Sequence, residues 1–134
     1  MNLKTFNQET LPTSSKSKAG MYINTKAGMF HISKAGAEKL GLKDGDLVEL
    51  HQNEDDKAEW FISKSKKGFS LRNKQKGSDE NGLIFNNTVL AKIIFESIEC
   101  KNQAGRCLFG SEPQKIKGVE YWPVITASLN KAKF

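Results

Sequence analysis

The stretch KSKKGFSLRNKQK places six cations, Lys64, Lys66, Lys67, Arg72, Lys74 and Lys76, within thirteen residues and admits no acid. Ammonium and guanidinium groups at that density neutralise phosphates, and an exposed Phe69 among them would stack on a base. A second reading has Phe69 and Leu71 pointing into a core while the lysines keep an edge strand soluble. Both readings stand at the level of sequence. Under the first, Lys64, Lys66, Lys67, Phe69, Arg72, Lys74 and Lys76 form a nucleic-acid-binding segment.

Other residues capable of chemistry are scattered. His31 and His51 are the only histidines. Each falls in a strand-like run with no Cys or second His at ligand spacing, so neither marks a metal or catalytic site. Asp55 and Asp56 are adjacent on a polar turn, where neighbouring side chains diverge. Gly41 and Gly45 follow a helical run instead of preceding one, which offers phosphate the wrong end of the dipole. Cys100 and Cys107 are too few for a disulfide framework and read as reduced thiols. No catalytic residue, metal or cofactor is expected, and the chain reads as a non-enzyme.

Charge is unevenly distributed. The net charge is +6, which favours acidic partners such as DNA or RNA. Seven acids, Asp44, Asp46, Glu49, Glu54, Asp55, Asp56 and Glu59, crowd the segment before the basic stretch against one base, Lys57. The two blocks face different partners, touch each other in the fold, or pair across a homo-oligomer. With 37% hydrophobic and 27% charged residues, the core should be thin and the chain soluble. No run approaches the roughly 20 apolar residues of a membrane span. The first twenty residues lack the apolar stretch of a secretory signal, so a cytoplasmic location is expected.

These side chains need elements to position them. Residues 1–20 are too polar to offset the entropy of ordering and read as a flexible arm; residues 128–134 read as a similar tail. Between them, 21–127 reads as one domain. Met21 to Thr25 and Met29 to Ser33 alternate as a hairpin around Lys26, Ala27 and Gly28. Ser33 caps a short helix that ends at Leu40, with Gly41 as its left-handed stop. After the KDGD turn, LVELH and AEWFIS read as strands, as does Phe69 to Arg72. NKQKGSDENG reads as a loop by composition. Leu83 to Phe85 forms a strand, Asn87 a cap, and Val89, Leu90, Ile93, Ile94 and Ile98 one apolar helical face. Two further strands follow at Cys107 to Phe109 and from Val119, where Pro123 points to an edge or a bulge.

The order strand, helix, strand, strand occurs twice. Gly28 to Leu40 aligns with Gly82 to Ile94, matching Gly28 with Gly82, Ala37 with Ala91, and the caps Ser33 and Asn87. Within GMFHISKAGAEKLGLKDGDLVEL, the residues Ile32, Ser33, Lys34, Leu40, Gly41, Leu42, Gly45, Asp46, Val48 and Leu50 match a strand, a short helix closing on Leu-Gly, a Gly-Asp turn and a returning strand. Over residues 28–50 the chain thereby resembles the AbrB-like and MazE-like swapped-hairpin regulators. The resemblance implies a half-barrel that completes its core with a second half, and DNA binding through basic residues. The expected fold is mainly β with α, a small barrel of swapped-hairpin or double-psi-like type built from two pseudo-repeated halves. The expected function is non-catalytic nucleic-acid binding, with a protein-interaction or assembly module as the alternative.

Overall fold

The computed structural model describes residues 19–126 and Leu129, with the side chains of all of these but 78–80. The expected arm and tail therefore lie outside the described residues, apart from Ala19, Gly20 and Leu129. Ten strands and two helices follow one another as β1 (Gly20–Asn24), β2 (Met29–Ile32), α1 (Lys34–Leu40), β3 (Leu47–Asn53), β4 (Asp56–Ser65), β5 (Phe69–Ser70), β6 (Arg72–Gln75), β7 (Ser78–Asn86), α2 (Thr88–Ser97), β8 (Ala104–Phe109), β9 (Gln114–Ile116) and β10 (Val119–Ile125).

Local chemistry explains the first helix. Ser33 is extended (φ −63, ψ 159) and its hydroxyl accepts from the Gly36 N–H at 3.0 Å. Gly41 takes the left-handed conformation (φ 69), which frees its N–H for the last carbonyls, and Leu42 N–H closes the cap on Ala37 O at 2.8 Å. Seven residues are too few for a stable helix alone; Ala37 and Leu42 anchor it in the core. Asn87 starts α2 in the same way, its side chain accepting from the Leu90 N–H at 2.9 Å.

All strands join one antiparallel sheet in the order β5-β3-β4-β10-β8-β1-β2-β7-β6, with β9 added on β10. The two ends of that order, β5 and β6, are separated in the chain by Leu71 alone. One extended segment thus pairs with β3 through its first half and with β7 through its second, and the sheet curls into a nearly closed barrel. Leu71 is the seam. Its N–H and C=O bond Asp46 O and Gly45 N, both at 2.8 Å, so the KDGD turn stitches the junction, and Gly45 at φ 90 supplies a conformation that L side chains rarely adopt. The Leu71 side chain is fully buried.

The faint repeat has a geometric counterpart. Gly28 and Gly82 differ by 54 positions (82 − 28), and the same shift carries Met29 to Leu83 and Ile32 to Asn86. Met29 pairs with Asn86 and Ile32 with Leu83, so the β2·β7 register maps onto itself when the halves are exchanged. In the same sheet β4 lies beside β10 and β1 pairs with β8. Nineteen residues form one buried cluster inside, and Phe30, Phe85 and Phe69 stack across it with centroid distances of 4.5 and 5.0 Å.

Three expectations require correction. NKQKGSDENG is mostly strand: it forms the β6–β7 hairpin turning at Gly77 (φ 81). Lys74, Gln75, Lys76 and Asn81 are exposed, and polar residues there leave none of the apolar alternation by which strands are recognised. On α2 the inward residues are Ala91, Ile94 and Phe95, while Val89 and Ile93 are 68% and 44% exposed; the large Phe95 sets the rotation of the helix and turns those two outward. Pro123 sits in an interior strand. It is accommodated where β10 passes from pairing with β9 to pairing with β8.

Candidate nucleic-acid interface

The helices lie at opposite ends of β2. Ile32 leads through Ser33 into α1, whereas Gly28 packs so tightly on α2 that a Cβ there would come within 2.3 Å of Thr88 Oγ1. The β3–β4 hairpin spans the same distance. Its turn, with Glu54, Asp55, Asp56 and nearby Glu59 all exposed, lies at the α2 end, where Trp60 donates to Ser97 Oγ of α2 at 2.9 Å. Its open end carries Lys64 beside the α1 cap. Lys64 lies eight residues along β4 from Asp56 and five from Glu59, about 26 Å and about 17 Å at ~3.3 Å per residue. The acids of the turn, Glu54 to Asp56, are thus far from the basic segment, whereas Asp46 of the same acidic block touches it, 3.4 Å from Lys64 Nζ.

The seven residues expected to bind nucleic acid fall along one arc of neighbouring strands, but not as equals. Lys66 and Lys67 are exposed in the β4–β5 turn, and Lys74 and Lys76 on the β6–β7 hairpin. Arg72 is exposed on β6, its guanidinium donating to Asn86 Oδ1. Lys64 is partly neutralised: its Nζ lies 3.4 Å from Asp46 Oδ2 and 3.5 Å from Gly41 O. Phe69 is half-buried, and one face of its ring is covered by Phe85 at an interplanar angle of 11°. The core reading accounts for this face of the ring.

The fold also collects residues that the sequence keeps apart. Arg106, Tyr22, His31, Ile84 and Arg72 lie directly opposite one another across β8, β1, β2, β7 and β6. Opposed residues share a face, so the five form one outward row, about 19 Å long at ~4.8 Å per strand. His31 Nε2 meets Asn81 O at 2.5 Å, which places its proton on Nε2. Burial lowers the His31 pKa; the Asn81 bond opposes that shift, and the charges of Lys74 and Arg106 add to it. The sequence signal for this row was only the alternation of β1 and β2; register alone identifies its members.

On the far side of the barrel, the outer face of β3 and β4 and the start of β10 enclose a cleft of about 600 Å³. His51 Nε2 lies 2.7 Å from Ser63 Oγ, the ring edge of His51 meets Tyr121 at 4.9 Å, and Glu49 accepts from Ser65. Ser63, 2% exposed, lines this cleft together with His51 and Glu49. Among the described residues, no group of three or more His, Cys, Asp or Glu is placed to hold a metal ion, and no helix is long and apolar enough to cross a membrane. No family model, curated protein or solved structure matches this chain.

Proposed function

We propose that this chain is a non-catalytic nucleic-acid-binding protein, and that its barrel is a single-chain form of the swapped-hairpin architecture in which the two halves replace the two subunits. Its contact surface is the α1 end, with Lys66, Lys67, Arg72, Lys74 and Lys76 as phosphate ligands. The supporting observation is the separation of charge along β4. Lys66, Lys67, Lys74 and Lys76 are exposed together, and the nearby Asp44 and Asp46 are engaged with Asn73 N–H and Lys64, while the exposed acids of the β3–β4 turn gather at the other end. The α1 end thus presents the exposed cations Lys66, Lys67, Arg72, Lys74 and Lys76 alongside two exposed acids, Glu38 and Asp44, so cations outnumber acids there.

Fluorescence anisotropy with duplex and single-stranded oligonucleotides between 50 and 200 mM salt tests the reading. Each phosphate contact contributes roughly −0.9 to the slope of log K against log salt on duplex DNA, so a Lys66→Ala, Lys67→Ala, Lys74→Ala variant should bind more weakly and with a shallower slope. Parent-like binding and slope in that variant would remove the interface.

The same polarity supports a second reading. Acidic and basic ends that lie apart within one chain can meet head to tail between chains, a heterologous contact that builds open chains of molecules. Light scattering decides: this reading requires particle mass to fall as salt rises from 50 to 500 mM without nucleic acid present.

A further inference from the structure

β7 outruns its neighbour. β2 pairs with it only over Leu83–Asn86, whereas β6 continues along it as far as Gln75 opposite Ser78. Residues 74–81 therefore run past the end of β2 as a two-stranded ribbon with Lys76 and Gly77 at its turn, while Gly82 is buried on Ile32 O and α1 packs beside β7. The ribbon is braced at its root by His31 on Asn81 O and by Asn81 Nδ2 donating to Gln75 Oε1. Gln75, Lys76 and Asn81 are all exposed.

Its charge and its dimensions point the same way. Lys74 and Lys76 are exposed on the ribbon and attract phosphate to it. The flanking Lys66, Lys67 and Arg72 add to that attraction. Contacts to phosphate position a protein and contacts to base edges specify sequence, and the amides Gln75 and Asn81, exposed among these cations, suit the second task. Two strands ~4.8 Å apart, projecting about three residue levels or ~10 Å, match a B-DNA major groove about 12 Å wide and 8.5 Å deep. The minor groove, at about 6 Å, is too narrow, and the major groove of A-form RNA is closed to side chains.

The bond between Gln75 and Asn81 uses one acceptor and one donor, leaving Gln75 Nε2 as a donor and Asn81 Oδ1 as an acceptor side by side. Adenine presents the complement in the major groove, an N7 acceptor beside an N6 donor.

We infer that the β6–β7 ribbon enters the major groove of duplex DNA and that the Gln75–Asn81 pair determines a preference for adenine at one position of the site. The inference rests on the nucleic-acid reading above. Selection from a random 20-base-pair duplex pool, followed by anisotropy on the selected duplex, tests it. The parent should select an adenine whose replacement by guanine weakens binding about ten- to a hundred-fold. Gln75→Ala and Asn81→Ala should abolish that discrimination while changing affinity for unselected duplex by less than about threefold. Gln75→Glu, which exchanges a donor for an acceptor, should move the preference towards cytosine. The inference is overturned, with the general reading intact, if single strands or duplex RNA bind as tightly as duplex DNA, or if the two alanine variants keep the parent's preference. Failure of every oligonucleotide to bind overturns both.

Discussion

Whether Phe69 belongs to the core or to a ligand can be decided by one double-mutant cycle. Phe85 is 2% exposed and lies between two rings, Phe30 at 4.5 Å with planes 8° apart and Phe69 at 5.0 Å with planes 11° apart. Replacing Phe85 by Leu keeps most of the volume, for which a hydrophobic exchange costs under about 1.5 kcal/mol, and removes two ring pairs worth about 0.5–1.5 kcal/mol each. The expected loss is about 2–3 kcal/mol. Phe69→Leu removes one pair from a half-buried site and should cost about 1–2 kcal/mol by the same magnitudes. Because both changes delete the same Phe69–Phe85 contact, the double variant should lose about 1 kcal/mol less than the sum of the singles. Urea unfolding of the four proteins measures this coupling. Binding to single-stranded oligonucleotides gives an independent readout: a base-stacking Phe69 would lose about 1–3 kcal/mol of affinity on substitution, whereas the packed ring should leave affinity within about twofold. Additive stabilities together with a large binding loss would show that the ring faces solvent, and the account of the barrel seam would fail with it.

Three further outcomes are expected. Ala exceeds Gly in helix propensity by about 1 kcal/mol, yet a Cβ on Gly36 would lie 2.8 Å from Phe109 Cε2 and 2.9 Å from Gly20 O, so Gly36→Ala should destabilise by about 1–3 kcal/mol; a rise in unfolding midpoint would refute the packing of α1. The His31 pKa is lowered from 6.5 by burial, so the folded state binds a proton less readily than the unfolded state. Stability from this group is present above pH 6.5 and is lost as pH falls through the lower folded value. His31→Gln should flatten the fall in urea midpoint between pH 7 and pH 5; an unchanged pH profile would contradict the burial of the ring. Burial, with a smaller contribution from Cys100, pushes the Cys107 thiol up to about 12. At pH 8 a maleimide should leave it unlabelled in native protein and label it after unfolding, as mass spectrometry of tryptic peptides would report.

The sequence by itself determined the elements whose cause is local. Ser33 and Asn87 can bond the first free N–H groups of a helix, Gly41 and Gly45 accept positive φ, and the alternation of Met21–Asn24 and Met29–Ile32 defines two faces; each of these is a property of a few consecutive residues. Only the tertiary structure decided the rest. The barrel closes at Leu71 because one short segment pairs with β3 and β7, partners remote in the chain and joined to it through backbone groups that every residue carries. Phe69 could serve a ligand or a core until Phe85 covered one face of its ring, and the ribbon of 74–81 was hidden because an exposed strand leaves no apolar period. The row from Arg106 to Arg72 likewise exists only through register, since a one-residue slip on any of five strands would send its member to the opposite face.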